Sequence, residues 1–156
     1  LEIAKKLTPD SLTGCEISPA MLQFARKNAK NYGIDARYVQ GNCMEMPFED
    51  ESFVSVISNG SLHEWETPVR VFNEIYRVLR PGGRYCITDL RRNVNLLARY
   101  LGLATAKPRA IRPGFISSLN AAHTVGEITE LLRNSDLKGA MVTTDFFGLC
   151  ISGEKK

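Results

Sequence analysis

The sequence predicts an α/β domain with a doubly wound, mostly parallel sheet. Three observations carry this. Short apolar runs of strand character alternate with helix-patterned stretches of about 10–14 residues as far as Asp89, which is the pattern of βαβ units. A hydroxyl residue followed by proline, first Ser18-Pro19 and then Thr67-Pro68, opens a helix after a strand. The hydroxyl can cap free N–H groups, and proline suits the first helical turn. The last two strand-like runs have no helix between them and are expected to pair antiparallel.

Taken in order, Leu1–Leu7 (LEIAKKL) reads as the later turns of an amphipathic helix with Leu1, Ala4 and Leu7 on one face. Thr8–Ser11 is a turn and Leu12–Ile17 a strand. The Ser18-Pro19 helix reaches Asn31, spaces Met21, Leu22, Ala25 and Ala29 on one face, and ends at Gly33. Arg37–Gln40 is a second strand and Phe53–Ser58, rich in β-branched residues, a third. The helix from Pro68 to Leu79 carries Phe72, Ile75, Tyr76 and Leu79 on one face, and Pro81-Gly82-Gly83 forces a turn. Arg84–Asp89 is the fourth strand. Residues 91–123 break the alternation with a helix from Asn93 to Leu103 and a basic stretch marked by Pro and Gly. Thr124 and Glu127 form a capping-box pattern that opens a helix to Ser135. Ala140–Thr144 and Phe146–Ser152 are the closing strands, turned at Asp145.

Composition bounds the function. The chain has 156 residues, 44% hydrophobic and 24% charged, enough for one domain with a sizeable core. No apolar run approaches the roughly 18–20 residues of a membrane span, and no secretory leader is visible. Residues 1–78 carry net −3 and residues 79–156 net +6, within a total of +3. The excess sits in Arg91, Arg92, Arg99, Lys107, Arg109 and Arg112, with no acid between them. Beyond Tyr100 this stretch lacks the aromatic interleaving that stacks nucleic-acid bases, so no nucleic-acid partner is expected. Cys15, Cys43, Cys86 and Cys150 lie far apart without a CxxC pair, which reads as reduced thiols, mostly buried, in a cytoplasmic protein. With two histidines, a His-rich metal centre is excluded and no metal is expected.

In an open α/β sheet, ligands bind at the carboxyl ends of the strands. Glu16 stands after the first strand, where a carboxylate can accept two hydrogen bonds from vicinal ribose hydroxyls; the alternative is a helix cap or a solvated charge. Asn42 and Cys43 follow the second strand, and an Asn amide can give or accept at an adenine edge, with Met44 and Met46 over the ring; the alternative is a plain turn. Asn59 and Gly60 follow the third strand. His63 and Glu64 share the next loop and invite acid–base chemistry, against a loop-packing histidine. No GxGxxG, Walker lysine loop or GxSxG elbow is present, so hydride transfer, phosphoryl transfer and serine hydrolysis lack support.

The stretches TGCEISPAMLQFARKNA, YVQGNCMEMPFEDESFVSVIS, SNGSLHEW and above all FNEIYRVLRPGGRYCITDL resemble a class I S-adenosylmethionine-dependent methyltransferase of the small-molecule type. The resemblance runs along nearly the whole chain. It implies a Rossmann-like methyltransferase fold, S-adenosylmethionine as cofactor and a small-molecule methyl acceptor. On the matching positions it places Glu16 at the ribose, Ile17 beside it among the cofactor-binding residues, Asn42 and Cys43 at adenine, Asn59 and Gly60 near the sulfonium, and His63 as a base or substrate contact. No Asn-Pro-Pro-aromatic motif follows the third strand, which argues against amino-group methylation of nucleic-acid bases or glutamine.

Three departures shape the expectations. The family's first central strand and glycine-rich turn have no counterpart, and Leu1–Leu7 matches the helix after that turn. An acid is usual where Asn42 stands, and another where Val54 stands. The chain is therefore expected to be an N-terminally incomplete single domain over residues 1–156. The alternatives are a strand supplied in trans by a homodimer, or two orphan strand edges that pair with each other. The rival function is a non-catalytic binding or partner subunit of methyltransferase fold. Residues 91–123 are expected to form a substrate lid, with Leu96, Leu97, Tyr100 and Leu103 as the apolar face of its helix.

Overall fold

The computed structural model describes residues 11–105 and 107–156; the expected helix over Leu1–Leu7 lies outside them. The chain divides into two compact units at Phe48/Glu49, and each is described by itself.

The first unit is a parallel βαβ unit. Strand β1 (Thr13–Glu16) pairs in parallel with β2 (Arg37–Gln40), Glu16 opposite Gln40. Between them runs helix α1 (Pro19–Asn31), which buries Leu22 and Ala29. Ser18 caps it as expected, its hydroxyl accepting the Met21 N–H at 3.3 Å. Past the helix end, Gly33 takes φ +63°, a conformation that costs other residues a Cβ clash. Met21 is 54% exposed, so the buried stripe is narrower than its periodicity implies.

The second unit holds a four-stranded sheet in the order β3-β4-β6-β5. Its strands are β3 (Phe53–Asn59), β4 (Leu79–Leu90), β5 (Met141–Thr144) and β6 (Gly148–Glu154). β3 and β4 are parallel, whereas β6 runs antiparallel to both β4 and β5, as the missing intervening helix predicts. Helix α2 (Pro68–Val78) packs on β4, and α5 (Val125–Arg133) packs on α2. Their buried residues Val71, Phe72, Ile75, Val78, Ile128 and Leu132, with Ile87 and Ile151 of the sheet, form the core. Tyr76 is half-buried rather than part of this core, and its hydroxyl donates to the backbone oxygen of Lys156 at 3.2 Å.

Some local expectations change. Thr67 occupies the N-cap of α2 but makes no side-chain cap bond; its backbone carbonyl accepts from Arg70 at 3.0 Å instead. Pro81-Gly82-Gly83 is not a turn ahead of the strand, which already begins at Leu79. It is a bulge inside β4, because Phe53 faces Leu79 while Ser55 faces Arg84, and Gly82 takes φ +75° there. The C-terminal residues anchor it, with Gly82 N–H donating to Lys155 O and Lys155 N–H to Gly83 O, both at 2.8 Å. The capping box is formed as predicted, Thr124 and Glu127 each bonding the other's backbone N–H.

Among the described residues β1 pairs with β2 in the first unit, and β3 with β4 in the second. Between β4 and α5 the chain forms α3 (Leu96–Thr105), a 3-10 turn (Arg109–Ile111) and α4 (Arg112–Ala121). Tyr100 is 70% exposed, which removes it from the expected packing face of α3. The close approach is made by buried Gly102, where a Cβ would stand 2.8 Å from the Phe115 ring and 3.2 Å from the Phe147 ring.

Candidate active site

In the first unit the carboxyl ends of β1 and β2 bring Glu16, Ile17, Asn42 and Cys43 together. Adjacent parallel strands must end side by side, and Gly41 N–H donates to the Glu16 carbonyl at 3.1 Å to continue the ladder. Oε1 of Glu16 accepts the Ser18 N–H at 2.8 Å, so the helix-cap reading of Glu16 is realised. A carboxylate has about four acceptor positions and this bond uses one, which leaves capacity for hydroxyl donors. Asn42 is more committed: its Oδ1 accepts the Met44 N–H at 2.9 Å, which uses one of its two lone pairs and leaves both amide N–H groups as donors. Ile17 stands 61% exposed beside them. Burial pushes the Cys43 thiol up, and the negative charge of Glu16 adds to the rise. Burial likewise raises Cys15, followed by the influence of Cys43. Both are neutral thiols, and all four cysteines are free and half-buried rather than fully buried.

In the second unit the ends of β3 and β4 hold Asn59, Gly60 and His63. Asn59 faces Thr88, whose hydroxyl donates to Asn59 Oδ1 at 2.6 Å, leaving the amide N–H groups as the donors Asn59 can offer. Gly60 turns the chain with φ +69° and donates its N–H to the Thr88 carbonyl at 2.8 Å. A 3-10 turn (Leu62–Glu64) follows, with Leu62 fully buried as its anchor. His63 is not a surface residue: its side chain is 9% exposed and lies against Asp89, whose own is 1% exposed. From sequence Asp89 is only the end of the fourth predicted strand, with nothing to join it to His63. Val54, where the family pattern has an acid, is 68% exposed.

Residues 91–123 leave and return at the carboxyl end of this sheet. Arg91 N–H donates to the Phe147 carbonyl at 3.1 Å, Arg92 N–H to the His123 carbonyl at 3.2 Å, and α4 packs on the turn that carries His63. Part of the basic stretch is tied internally, since Arg92 pairs with Glu127 and donates to the Ala122 carbonyl. No group of three or more metal-ligating side chains occurs among the described residues. A hollow of about 340 Å³ lined by Leu12, Met21, Phe24 and Tyr38 lies along β1 and α1 and contains none of the predicted site residues.

Comparison with known proteins decides the family. Residues 1–87, more than half of the chain, match the methyltransferase domain family. The chain belongs to that family. Among relatives of this methyltransferase domain, phthiotriol/phenolphthiotriol dimycocerosates methyltransferase of Mycobacterium tuberculosis is 33% identical over 109 residues, 70% of this chain and 40% of the relative. The domain thus spans well under half the length of that relative. The solved structure of the PH0226 protein from Pyrococcus horikoshii superposes with a TM-score of 0.71, 19% identity, and coverage of 99% of this chain and 76% of that one. A SAM-dependent methyltransferase from Aquifex aeolicus gives 0.68, 12% identity, and coverage of 94% and 69%. These likenesses bear out the Rossmann-like α/β fold.

Proposed function

We propose that this methyltransferase domain transfers a methyl group from S-adenosylmethionine to a small-molecule acceptor. The observation that carries the proposal is the Glu16 carboxylate at the carboxyl end of β1, oriented by Ser18 N–H and still rich in acceptor capacity. The donor set suits an adenosine. Glu16 would take the ribose hydroxyls, Asn42 would donate to the base, and exposed Ile17 and the neutral Cys43 would supply apolar contact. Asn59 and Gly60 would line the region of the sulfonium, with donors from the Asn59 amide. The bound cofactor supplies an electrophilic methyl on a positively charged sulfur; the protein's work is to position the acceptor, exclude water and manage its proton.

The relative named above is a phthiotriol/phenolphthiotriol dimycocerosates methyltransferase, which supports a small-molecule acceptor here without identifying it. We further propose residues 91–123 as the acceptor-facing lid, supported by α4 packing on the His63 turn. The half-buried free thiols favour the reducing cytoplasm, and no described helix is long and apolar enough to cross a membrane. Calorimetric titration with S-adenosylmethionine tests the function. Saturable binding that Glu16→Gln weakens supports methyl transfer, and absence of binding favours the non-catalytic rival. Sedimentation of the same chain tests the homodimer.

A further inference from the structure

We propose that Asp89 is a positioning residue for His63, and that the pair makes Nε2 of His63 the base that takes the proton of a hydroxyl acceptor. This rests on the methyl-transfer reading and narrows its acceptor to an oxygen nucleophile. The two residues are 26 positions apart and meet because the parallel register sets Asn59 opposite Thr88. Asp89 Oδ2 accepts the backbone N–H of His63 at 2.8 Å, and Oδ1 accepts the Leu90 N–H at 2.6 Å. His63 Nδ1 then lies 2.9 and 3.0 Å from the two carboxylate oxygens. One carboxylate thus holds both the main chain and the ring of His63, so the imidazole has little freedom to turn.

The geometry also sets the tautomer. A carboxylate only accepts, so the ring nitrogen facing it carries the proton, and in the neutral ring the other nitrogen is a bare acceptor. Glu64 Oε1 stands 3.9 Å from Nε2, outside hydrogen-bonding range. The elements packed on this turn are β4, which presents Asp89, and α4, whose one charged residue is Arg112. A neutral amine attacks through a lone pair it already has, and a thiol ionises readily near neutrality. A hydroxyl does neither and gains most from a positioned base. As the acceptor oxygen bonds to the methyl carbon, its proton passes to Nε2 and the electron pair of the broken carbon–sulfur bond stays on sulfur. Neutral imidazole and sulfonium become imidazolium and thioether, so the charge balances.

The test begins without cofactor. Nitrogen-15 NMR of histidine-labelled protein reads the tautomer, and His63→Gln leaves His123 as the only other imidazole for assignment. The expected result is the Nδ1–H form in the wild type, a shift towards Nε2–H in Asp89→Asn, and partial recovery in Asp89→Glu. An Nε2–H form in the wild type, or populations unmoved by Asp89→Asn, overturns the positioning role. Transfer from methyl-tritiated S-adenosylmethionine is then offered n-octanol and phenol alongside octylamine and octanethiol. Methyl ethers that fall at least tenfold in kcat/KM in Asp89→Asn, with cofactor KM unchanged, support the hydroxyl assignment. Amine or thiol products alone, or no product while the cofactor binds, overturn it. Absence of cofactor binding instead defeats the methyl-transfer reading and leaves the tautomer result standing.

Discussion

Glu16 and Ser18 are joined by a 2.8 Å bond from the Ser18 N–H to Oε1 of Glu16, so the proposed ribose ligand also anchors the first turn of α1. Binding and helix capping therefore share one side chain, and substitutions there must be chosen to separate them. Glu16→Gln keeps an acceptor for Ser18 and removes the charge; Glu16→Ala removes both. Charge-assisted hydrogen bonds contribute about 1.5–3 kcal/mol each, so we expect cofactor affinity to fall tenfold or more in both variants. Only Glu16→Ala should also lower the denaturation midpoint. Calorimetry paired with urea unfolding separates the two effects, and unchanged affinity in Glu16→Gln would reduce Glu16 to a cap.

Thr88 tests the proposed role of Asn59. Its hydroxyl holds Asn59 through a 2.6 Å bond, and Thr88→Val keeps the shape while releasing the amide. A net hydrogen bond is worth about 1 kcal/mol, so a several-fold rise in the cofactor dissociation constant is expected. The same calorimetric titration measures it.

Gly60 is constrained by its backbone alone. At φ +69°, a built Cβ meets nothing within 4 Å, so Gly60→Ala adds no steric clash with neighbours. The left-handed conformation still costs an L-residue about 1–2 kcal/mol. Equilibrium unfolding in urea should show a loss of that order, and a neutral Gly60→Ala would mean the turn relaxes.

Acid should weaken the α5 cap. The Thr124 N–H, and after it the Arg92 guanidinium, hold the Glu127 carboxyl below its ordinary value. A depressed folded-state value means its stabilising contribution is fully present above the unfolded value, about 4.3, and is lost as pH falls through the folded value. Urea midpoints measured downward from pH 6 should decline less steeply in Glu127→Gln than in the wild type. Thr124→Ala should cost about 0.5–2 kcal/mol at neutral pH.

What the sequence revealed was mostly local. Ser18-Pro19, the Thr124–Glu127 capping box and strand Arg37–Gln40 were legible because their determinants lie within a few residues. Pro81-Gly82-Gly83 reads as a turn in the sequence, because only pairing with β3 and with Lys155 shows that the strand runs through it. His63 and Asp89 were each noticed, but their contact depends on the β3–β4 register. The signal that could have joined them was a buried-strand acid following Thr88, read together with a histidine just beyond the strand paired to it. Tyr100 falls on the expected apolar face because four apolar residues at helical spacing do not reveal that glycine makes the close contact.

The way residues 91–123 are attached has a consequence for how such a domain can diversify. The Arg92–His123 backbone bond joins the two ends of the excursion, so the sheet sees a closed gate whatever lies between them. The entropic cost of lengthening a closed loop grows only logarithmically, about 0.6 kcal/mol per doubling. The exposed connections between its helices could be lengthened while β4 and β6 keep their register. The segment is in that sense a cassette whose exposed connections can lengthen, while Gly102 against Phe147 and α4 on the His63 turn fix where it docks.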